Sequence, residues 1–245
     1  MSEPWVLVLG ANSDMAIAIA KRYASAGYNL YLASRDLEEL NKTAADLKLR
    51  YAVEVKAILF DACDFASHAD FYSILQYKPI GTIVAFGVMH EQIKAQIDFS
   101  LSMEMIESNY MGAVSILEIV ATDLERRQEG FIVGISSVAG DRGRKSNYIY
   151  GSSKAALSTY LAGLRHRLAK SGITVLTVKP GFVATKMTAG LNLPKKLTAQ
   201  ADEVAHAVYQ GVLKNRSVVY VKPIWKLIML VIVHMPDFIF NKTKL

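Results

Sequence analysis

Short apolar runs alternate with longer stretches of mixed polarity along this chain. Trp5-Val-Leu-Val-Leu9 is followed by a glycine, a polar turn and an Ala/Ile pattern through Ala26, which predicts strand, turn and helix. The same order recurs. Asn29–Ala33 reads as a second strand with a charged helix over Asp36–Leu49, Val53–Phe60 as a third strand, and Thr82–Phe86 as a fourth, between Gly81 and Gly87. A long helical region covers Leu101–Arg127, and Phe131–Ile135 is a fifth strand. Tyr148–Lys170 is a helix closing at Gly172, and Ile173–Val178 a sixth strand stopped by Pro180-Gly181. Asp202–Leu213 is a helix and Ser217–Val221 a seventh strand.

Strands alternating with helices imply βαβ units in the α/β class. The strands are continuous apolar runs, as expected where helices cover both faces of a parallel sheet. The chain shows no repeat and no flexible linker, so residues 1–221 form one expected domain. Gly181–Gln200 is a long connection, and a loop of that length in a compact domain is usually a lid or binding loop.

Composition narrows the class. With 245 residues, 52% hydrophobic and 20% charged, the chain can bury a large core and is not mainly disordered. A single cysteine, Cys63, excludes an intramolecular disulfide and a cysteine-based zinc cluster, and fits a reducing, cytoplasmic compartment. It reads as a small buried residue. His68, His90, His166, His206 and His234 show no metal spacing, so no metal site is expected. The acidic start Met1–Trp5 predicts no secretory leader. The longest uncharged apolar run, Leu227–Pro236, is shorter than the roughly 20 residues a membrane span needs.

The net charge of +6 is unevenly placed. Residues 214–245 carry six basic side chains against Asp237 alone, which leaves 22 basic and 21 acidic groups in the body. Such a body is no nucleic-acid surface. Residues 222–245 form an apolar, basic tail with Trp225 and flanking lysines. It suits a membrane interface on the inner face of the plasma membrane, a partner protein, or packing on the body or across a dimer.

In an open parallel sheet, ligands bind beyond the carboxyl ends of the strands. The first such turn, Leu9-Gly10-Ala-Asn12-Ser13-Asp14-Met15-Ala16, has a glycine for the tight turn and a helix N-terminus for a pyrophosphate. Asp14 and Ala16 stand where a dinucleotide fingerprint prefers glycine, and Asp14 has the alternative of capping the helix. The second strand ends in Ser34-Arg35, where NAD enzymes usually carry an acid for the ribose hydroxyls. A cation there favours NADPH over NADH, unless Arg35 pairs with Asp36 or Glu39. Asp61, with Ala62 after it, ends the third strand and suits an adenine amine or a turn cap.

Ile135-Ser136-Ser137-Val-Ala-Gly140 follows the fifth strand, and Tyr150 and Lys154 share one face of the next helix. A phenol with a free pKa of about 10 is a poor acid–base group at neutral pH. A neighbouring ammonium should lower that pKa. Tyr150 can then give a proton to a carbonyl while Ser137 donates to the same oxygen.

These residues carry a resemblance. Gly10, Ala85-Phe86-Gly87, Asn109, Ser137, Tyr150, Lys154 and Pro180-Gly181-Phe-Val183-Ala-Thr185 resemble the short-chain dehydrogenases/reductases, from about residue 4 to residue 221. The resemblance implies a single Rossmann-type, doubly wound parallel seven-stranded sheet. It implies a catalytic Asn109–Ser137–Tyr150–Lys154 tetrad, with Asn109 holding a water relay behind Lys154. It also implies NADP(H), or NAD(H), bound by Gly10, Asn12, Ser13, Asp14, Met15, Ser34, Arg35, Asp61, Ala62, Ala85, Phe86, Gly87, Tyr150, Lys154, Pro180, Gly181, Val183 and Thr185, and a homo-oligomer. A narrower resemblance rests on Ser13-Asp14-Met15, Ile83-Val-Ala-Phe-Gly87, Ser136-Ser-x-Ala-Gly-x-Arg-x-Arg-x-x-Asn147 and His234-Met-Pro-x-x-Ile-Phe240. These are similar to the branch that reduces polyprenylphosphoryl-linked 2-keto-ribose in making lipid-linked arabinose for the cell envelope. It implies a flavin-dependent oxidase partner that makes the ketone. Arg142, Arg144, Lys145 and Lys186 would then hold the lipid-linked phosphate, or else line a solvated basic loop.

Overall fold

The structure, a computed structural model, describes residues 3–190 and 192–243. The last two residues of the expected tail, Lys244 and Leu245, lie outside them. The strands are β1 (Trp5–Leu9), β2 (Asn29–Ser34), β3 (Val55–Leu59), β4 (Gly81–Val84), β5 (Phe131–Ile135), β6 (Thr174–Lys179), β7 (Phe182–Val183), β8 (Thr198–Ala199) and β9 (Val218–Tyr220). The helices are α1 (Asp14–Ala24), α2 (Leu37–Tyr51), α3 (His68–Ser73), α4 (Gln92–Ile97), α5 (Phe99–Ile106), α6 (Ala113–Arg127), α7 (Tyr148–Arg167), α8 (Ala201–Leu213), α9 (Ile224–His234) and α10 (Asp237–Phe240).

Seven strands form one wholly parallel sheet in the order β3-β2-β1-β4-β5-β6-β9. Strand alternation splits the core. Val6, Val8, Leu30, Leu32, Val133 and Leu176 pack with α1, α2 and α8. Leu7, Leu9, Tyr31 and Ile132 face α3, α6 and α7 on the other side. The chain order reverses at β1, between β2 and β4, which opens the crevice where such sheets bind ligands.

Three expectations change. The third strand starts at Val55 rather than Val53, because α2 ends on a left-handed Ala52 (φ 54°) and the chain must recover extended geometry. The single helix expected over Leu101–Arg127 is α5, a wide π-helical turn at Glu107–Gly112, and α6. Such bulges concentrate at functional sites, and this one contains Asn109. The connection 181–200 has internal order. The short strands β7 and β8 pair, with a 3₁₀ turn at Lys186–Thr188 between them.

The tail folds back as α9 and α10. Trp225, Met229 and Ile232 recur at helical spacing and are buried with Val138. Trp225 donates its indole N–H to the Leu197 carbonyl at 3.0 Å, and its ring lies where a Cβ on Gly181 would stand.

Candidate active site

A cleft of about 470 Å³ runs along the carboxyl ends of β1, β2, β3, β4 and β5. It brings together Gly10, Asn12, Ser13, Met15, Ser34, Arg35, Asp61, Ala62, Ala85, Phe86, Gly87, Tyr150 and Lys154 of the expected set. Gly10 has φ +80°, and its backbone N–H and that of Ala11 both donate to the Ala33 carbonyl, at 2.8 and 3.1 Å. A Cβ on Gly10 would lie 2.5 Å from the Phe86 nitrogen, so only glycine fits. Ser13, not Asp14, caps α1, accepting from the Ala16 N–H at 3.2 Å. The Asp14 carboxylate instead accepts from the Lys186 N–H at 2.6 Å, tying the nucleotide turn to the 181–200 connection.

The cleft fits a dinucleotide. Asn12 donates to the Asp36 carbonyl at 2.9 Å, but its Oδ1 is buried without a hydrogen-bond partner, as an acceptor awaiting a ligand would be. Asp36 caps α2 through the Glu39 N–H at 3.1 Å, and among the described residues no carboxylate lies within 4 Å of the Arg35 guanidinium. The Asp61 carboxylate accepts from the Cys63 N–H at 2.9 Å. Beneath it, buried His68 holds the Asp61 carbonyl with Nε2 (2.9 Å) and the Ser115 hydroxyl with Nδ1 (2.8 Å). Cys63 corrects its expectation. It is exposed at the cleft, because it sits in the turn after β3 rather than under a helix.

At the other end, α7 presents Tyr150 and Lys154. The Lys154 ammonium is buried, donates to the Ile135 carbonyl at 3.0 Å, and stands 5.8 Å from the Tyr150 ring centre. A Cβ on Gly87 would lie 2.8 Å from Asn109 Oδ1 and 3.2 Å from Lys154 Nζ, so this glycine lets the two side chains approach each other. The Asn109 amide donates to the Val88 carbonyl and the Ser153 hydroxyl, at 2.9 and 3.0 Å, and accepts from the Val88 N–H at 2.7 Å. Ser137 caps the following 3₁₀ turn through the Ala139 N–H at 3.1 Å, and its hydroxyl lies near enough to the Tyr150 phenol to act on its pKa.

The electrostatics reverse the expected sign. Burial pushes the Tyr150 phenol up to about 12, with the Ser137 hydroxyl pulling weakly the other way, and burial drives the Lys154 ammonium down to about 8. The desolvated ammonium, 5.8 Å from the ring, does not offset the burial of the phenol. Tyr150 therefore rests protonated. A stability prediction follows. Between pH 8 and 10.5 the folded chain binds fewer protons at Lys154 than the unfolded chain, so this group makes stability rise with pH across that window. The penalty, fully present below pH 8, is of order 3 kcal/mol. Urea unfolding of wild type and Lys154→Met should show the wild type gaining on the variant from pH 7 to pH 10. A constant gap would mean that Lys154 titrates normally.

Pro180, Gly181, Val183 and Thr185 do not line the cleft. Pro180 accepts from the Val138 N–H at 3.0 Å, and Thr185 caps the turn at Lys186–Thr188. The four expected phosphate-binding cations are not brought together. Arg142 is occupied by the tail. It donates to the Ile232 carbonyl at 2.6 Å and to Asp237 at 2.7 Å, and stacks over Phe240. Arg144 rests 3.1 Å from the Met229 sulfur, and its Nε is buried without a partner. Lys145 and Lys186 are exposed. No motif or spacing pointed to Phe60, Val88, Glu104, Glu107 or Ser108 in the cleft wall. Glu107 and Ser108 come from the irregular turn that the hydrophobic pattern reads as plain helix, and Glu104 from the α5 helix just before it. Ile135 and Ser136 also line the cleft, and their place beside Ser137 is a usable signal.

The family model described as short chain dehydrogenase matches residues 4–196. The chain belongs to the short-chain dehydrogenases. As such it is an NAD(P)-dependent oxidoreductase interconverting CH–OH and C=O groups. An uncharacterized oxidoreductase of Mycobacterium tuberculosis is 34% identical over 88% of this short-chain dehydrogenase and 87% of its own length. A very-long-chain 3-oxoacyl-CoA reductase of Anas platyrhynchos is 31% identical, covering 75% of this chain and 61% of the duck protein. A short-chain dehydrogenase from Sphingobium yanoikuyae, in complex with NADPH, superposes with a TM-score of 0.78 at 25% identity over 92% of both chains.

Proposed function

We propose that this short-chain dehydrogenase works as an NADPH-dependent ketone reductase. Tyr150 gives the proton, Ser137 holds the carbonyl oxygen, and Lys154 and Asn109 stand behind Tyr150. One observation carries the reading: the Gly10 turn, Arg35 and the Tyr150–Lys154 pair share one cleft. The nicotinamide supplies the hydride when bound. Arg35, without a carboxylate beside it, suits a 2′-phosphate better than a bare ribose, and the Sphingobium relative's NADPH supports the same choice. Arg35→Ala should weaken NADPH roughly tenfold to a hundredfold, the worth of a charge-assisted contact, and leave NADH nearly unchanged. Fluorescence titration with both cofactors tests this. Equal losses for the two would remove Arg35 from the 2′-phosphate.

For the substrate we propose the 2-keto group of a polyprenylphosphoryl-linked pentose, the reaction of the decaprenylphosphoryl-2-keto-ribose reductases, with a flavin-dependent oxidase upstream. Three features support it. The Ser13-Asp14-Met15 turn and the Ser136–Asn147 pattern match that branch. Arg144 keeps a buried, unpartnered Nε on the loop between Ser137 and Tyr150, where a phosphate would satisfy it. The apolar tail packs against that same loop through Met229. A 3-oxoacyl thioester is the second reading, favoured by the likeness to the duck 3-oxoacyl-CoA reductase. Nicotinamide oxidation should be followed with each substrate, the keto-pentose being generated by the oxidase, with Tyr150→Phe as blank. Tyr150-dependent turnover of the 3-oxoacyl thioester alone would overturn the keto-pentose reading.

A further inference from the structure

The side of α9 that faces away from the body is apolar. Trp225, Met229 and Ile232 are buried, yet Leu227, Leu230 and Val231 on the opposite face are 63%, 58% and 62% exposed, and Phe238 on α10 is 70% exposed. A solvent-facing helix side is normally polar, and contiguous exposed apolar surface marks a binding face. α9 has 11 residues, and no helix among the described residues is long and apolar enough to cross a membrane.

Beside this face a second feature stands independently. A cleft of about 390 Å³ at the start of α9 is lined by Lys214, Arg216 and Lys226, with Gln210, Tyr220 and Pro223. Among the described residues none of the three cations has a carboxylate within 4 Å, and the cleft wall contains no acid. Asp237, the one acid of the tail, is already held by Arg142.

We propose that α9 and α10 dock on an anionic phospholipid surface, with the apolar face in the acyl boundary and a lipid phosphate in the Lys214–Arg216–Lys226 cleft. Apolar side chains rimmed by unpaired cations are the complement of that surface. A second copy fits less well. A twofold contact through this face would bring two sets of three unpaired cations into one interface. Docking would also act on the catalytic end, because Arg142, between Ser137 and Tyr150, caps the last carbonyls of α9. The inference needs no substrate, so it stands or falls apart from the keto-pentose reading.

The test is co-sedimentation of the full chain with phosphatidylcholine vesicles, with and without phosphatidylglycerol, alongside light scattering of the protein alone. Wild type should bind the anionic vesicles and release with added salt. Lys214→Ala/Arg216→Ala/Lys226→Ala should bind them roughly a hundredfold or more weakly. Leu227→Ser/Leu230→Ser/Val231→Ser should lose binding while keeping the wild-type melting temperature, since all three side chains are exposed. Failure of wild type to bind anionic vesicles overturns the proposal. So does self-association of wild type that the serine variant abolishes, which would assign the face to a second copy.

Discussion

Tyr150→Phe should reduce turnover by roughly a hundredfold to ten-thousandfold while NADPH still binds, because it removes the proton donor of the proposed reduction and leaves the ring in place. The phenol is held protonated by burial, which outweighs the opposite pull of the Ser137 hydroxyl. Phenylalanine keeps the ring in place on α7 and the 5.8 Å approach of the Lys154 ammonium. The loss should therefore fall on kcat, with the KM for ketone changing little. The protonated resting state adds a direction. Reduction needs the phenol and oxidation of the alcohol needs the phenolate. Alcohol oxidation should keep rising with pH beyond neutrality, while reduction should show no loss from Tyr150 ionisation below about pH 11. Steady-state kinetics of wild type and variant in both directions decide this. Retention of more than about a tenth of wild-type turnover in Tyr150→Phe would place the donor elsewhere, with Ser137 the first candidate.

Ser137, Tyr150 and Lys154 could be placed on their elements from the sequence pattern, whereas Asn109 is expected only from the family resemblance. Ser137 follows a strand of unbroken apolar residues, and Tyr150 and Lys154 keep helical spacing. The approach of Lys154 and Asn109 to each other across Gly87 is a tertiary fact that periodicity could not show. Asn109 reaches the site through a π turn inside a run that reads as continuous helix, since widening by one residue leaves no mark in the hydrophobic pattern. The sign of the Tyr150 shift escapes sequence reasoning for a related reason. Pairing Tyr150 with Lys154 takes account of their closeness but not of the burial of both, and burial is the larger effect. Arg142 shows a third limit. Its place a few residues after Ser137 suggests a substrate contact, but a segment some ninety residues away in sequence supplies the carbonyls it holds. The tail's exposed face is illegible because a uniformly apolar run does not say which side the body will cover.

The largest structural effect is expected at Gly10. Alanine there would have to adopt φ +80° and place its Cβ 2.5 Å from the Phe86 nitrogen and 2.7 Å from its Cα. The obstacle is backbone at the end of β4, not a flexible side-chain tip, so it can yield only if β4 and the turn part. A left-handed backbone and an overpacked contact each cost about 1–3 kcal/mol, so roughly 3 kcal/mol or more of stability should disappear. The displacement would also act on the cofactor. The Gly10 and Ala11 N–H groups hang from the Ala33 carbonyl, so moving this turn shifts Asn12 and Ser13 away from Ser34 and Arg35 on the neighbouring strand. NADPH and NADH should both weaken, at least about tenfold, since both cofactors need this turn in place. Gly27→Ala is the control. Gly27 has φ +85°, but nothing lies within 4 Å of its Cβ position, so it should show the conformational cost alone and keep cofactor affinity. Urea unfolding and fluorescence titration of the two variants separate the contributions. If Gly10→Ala is no less stable than Gly27→Ala and binds NADPH normally, the close approach of the turn to Phe86 does not shape the cleft.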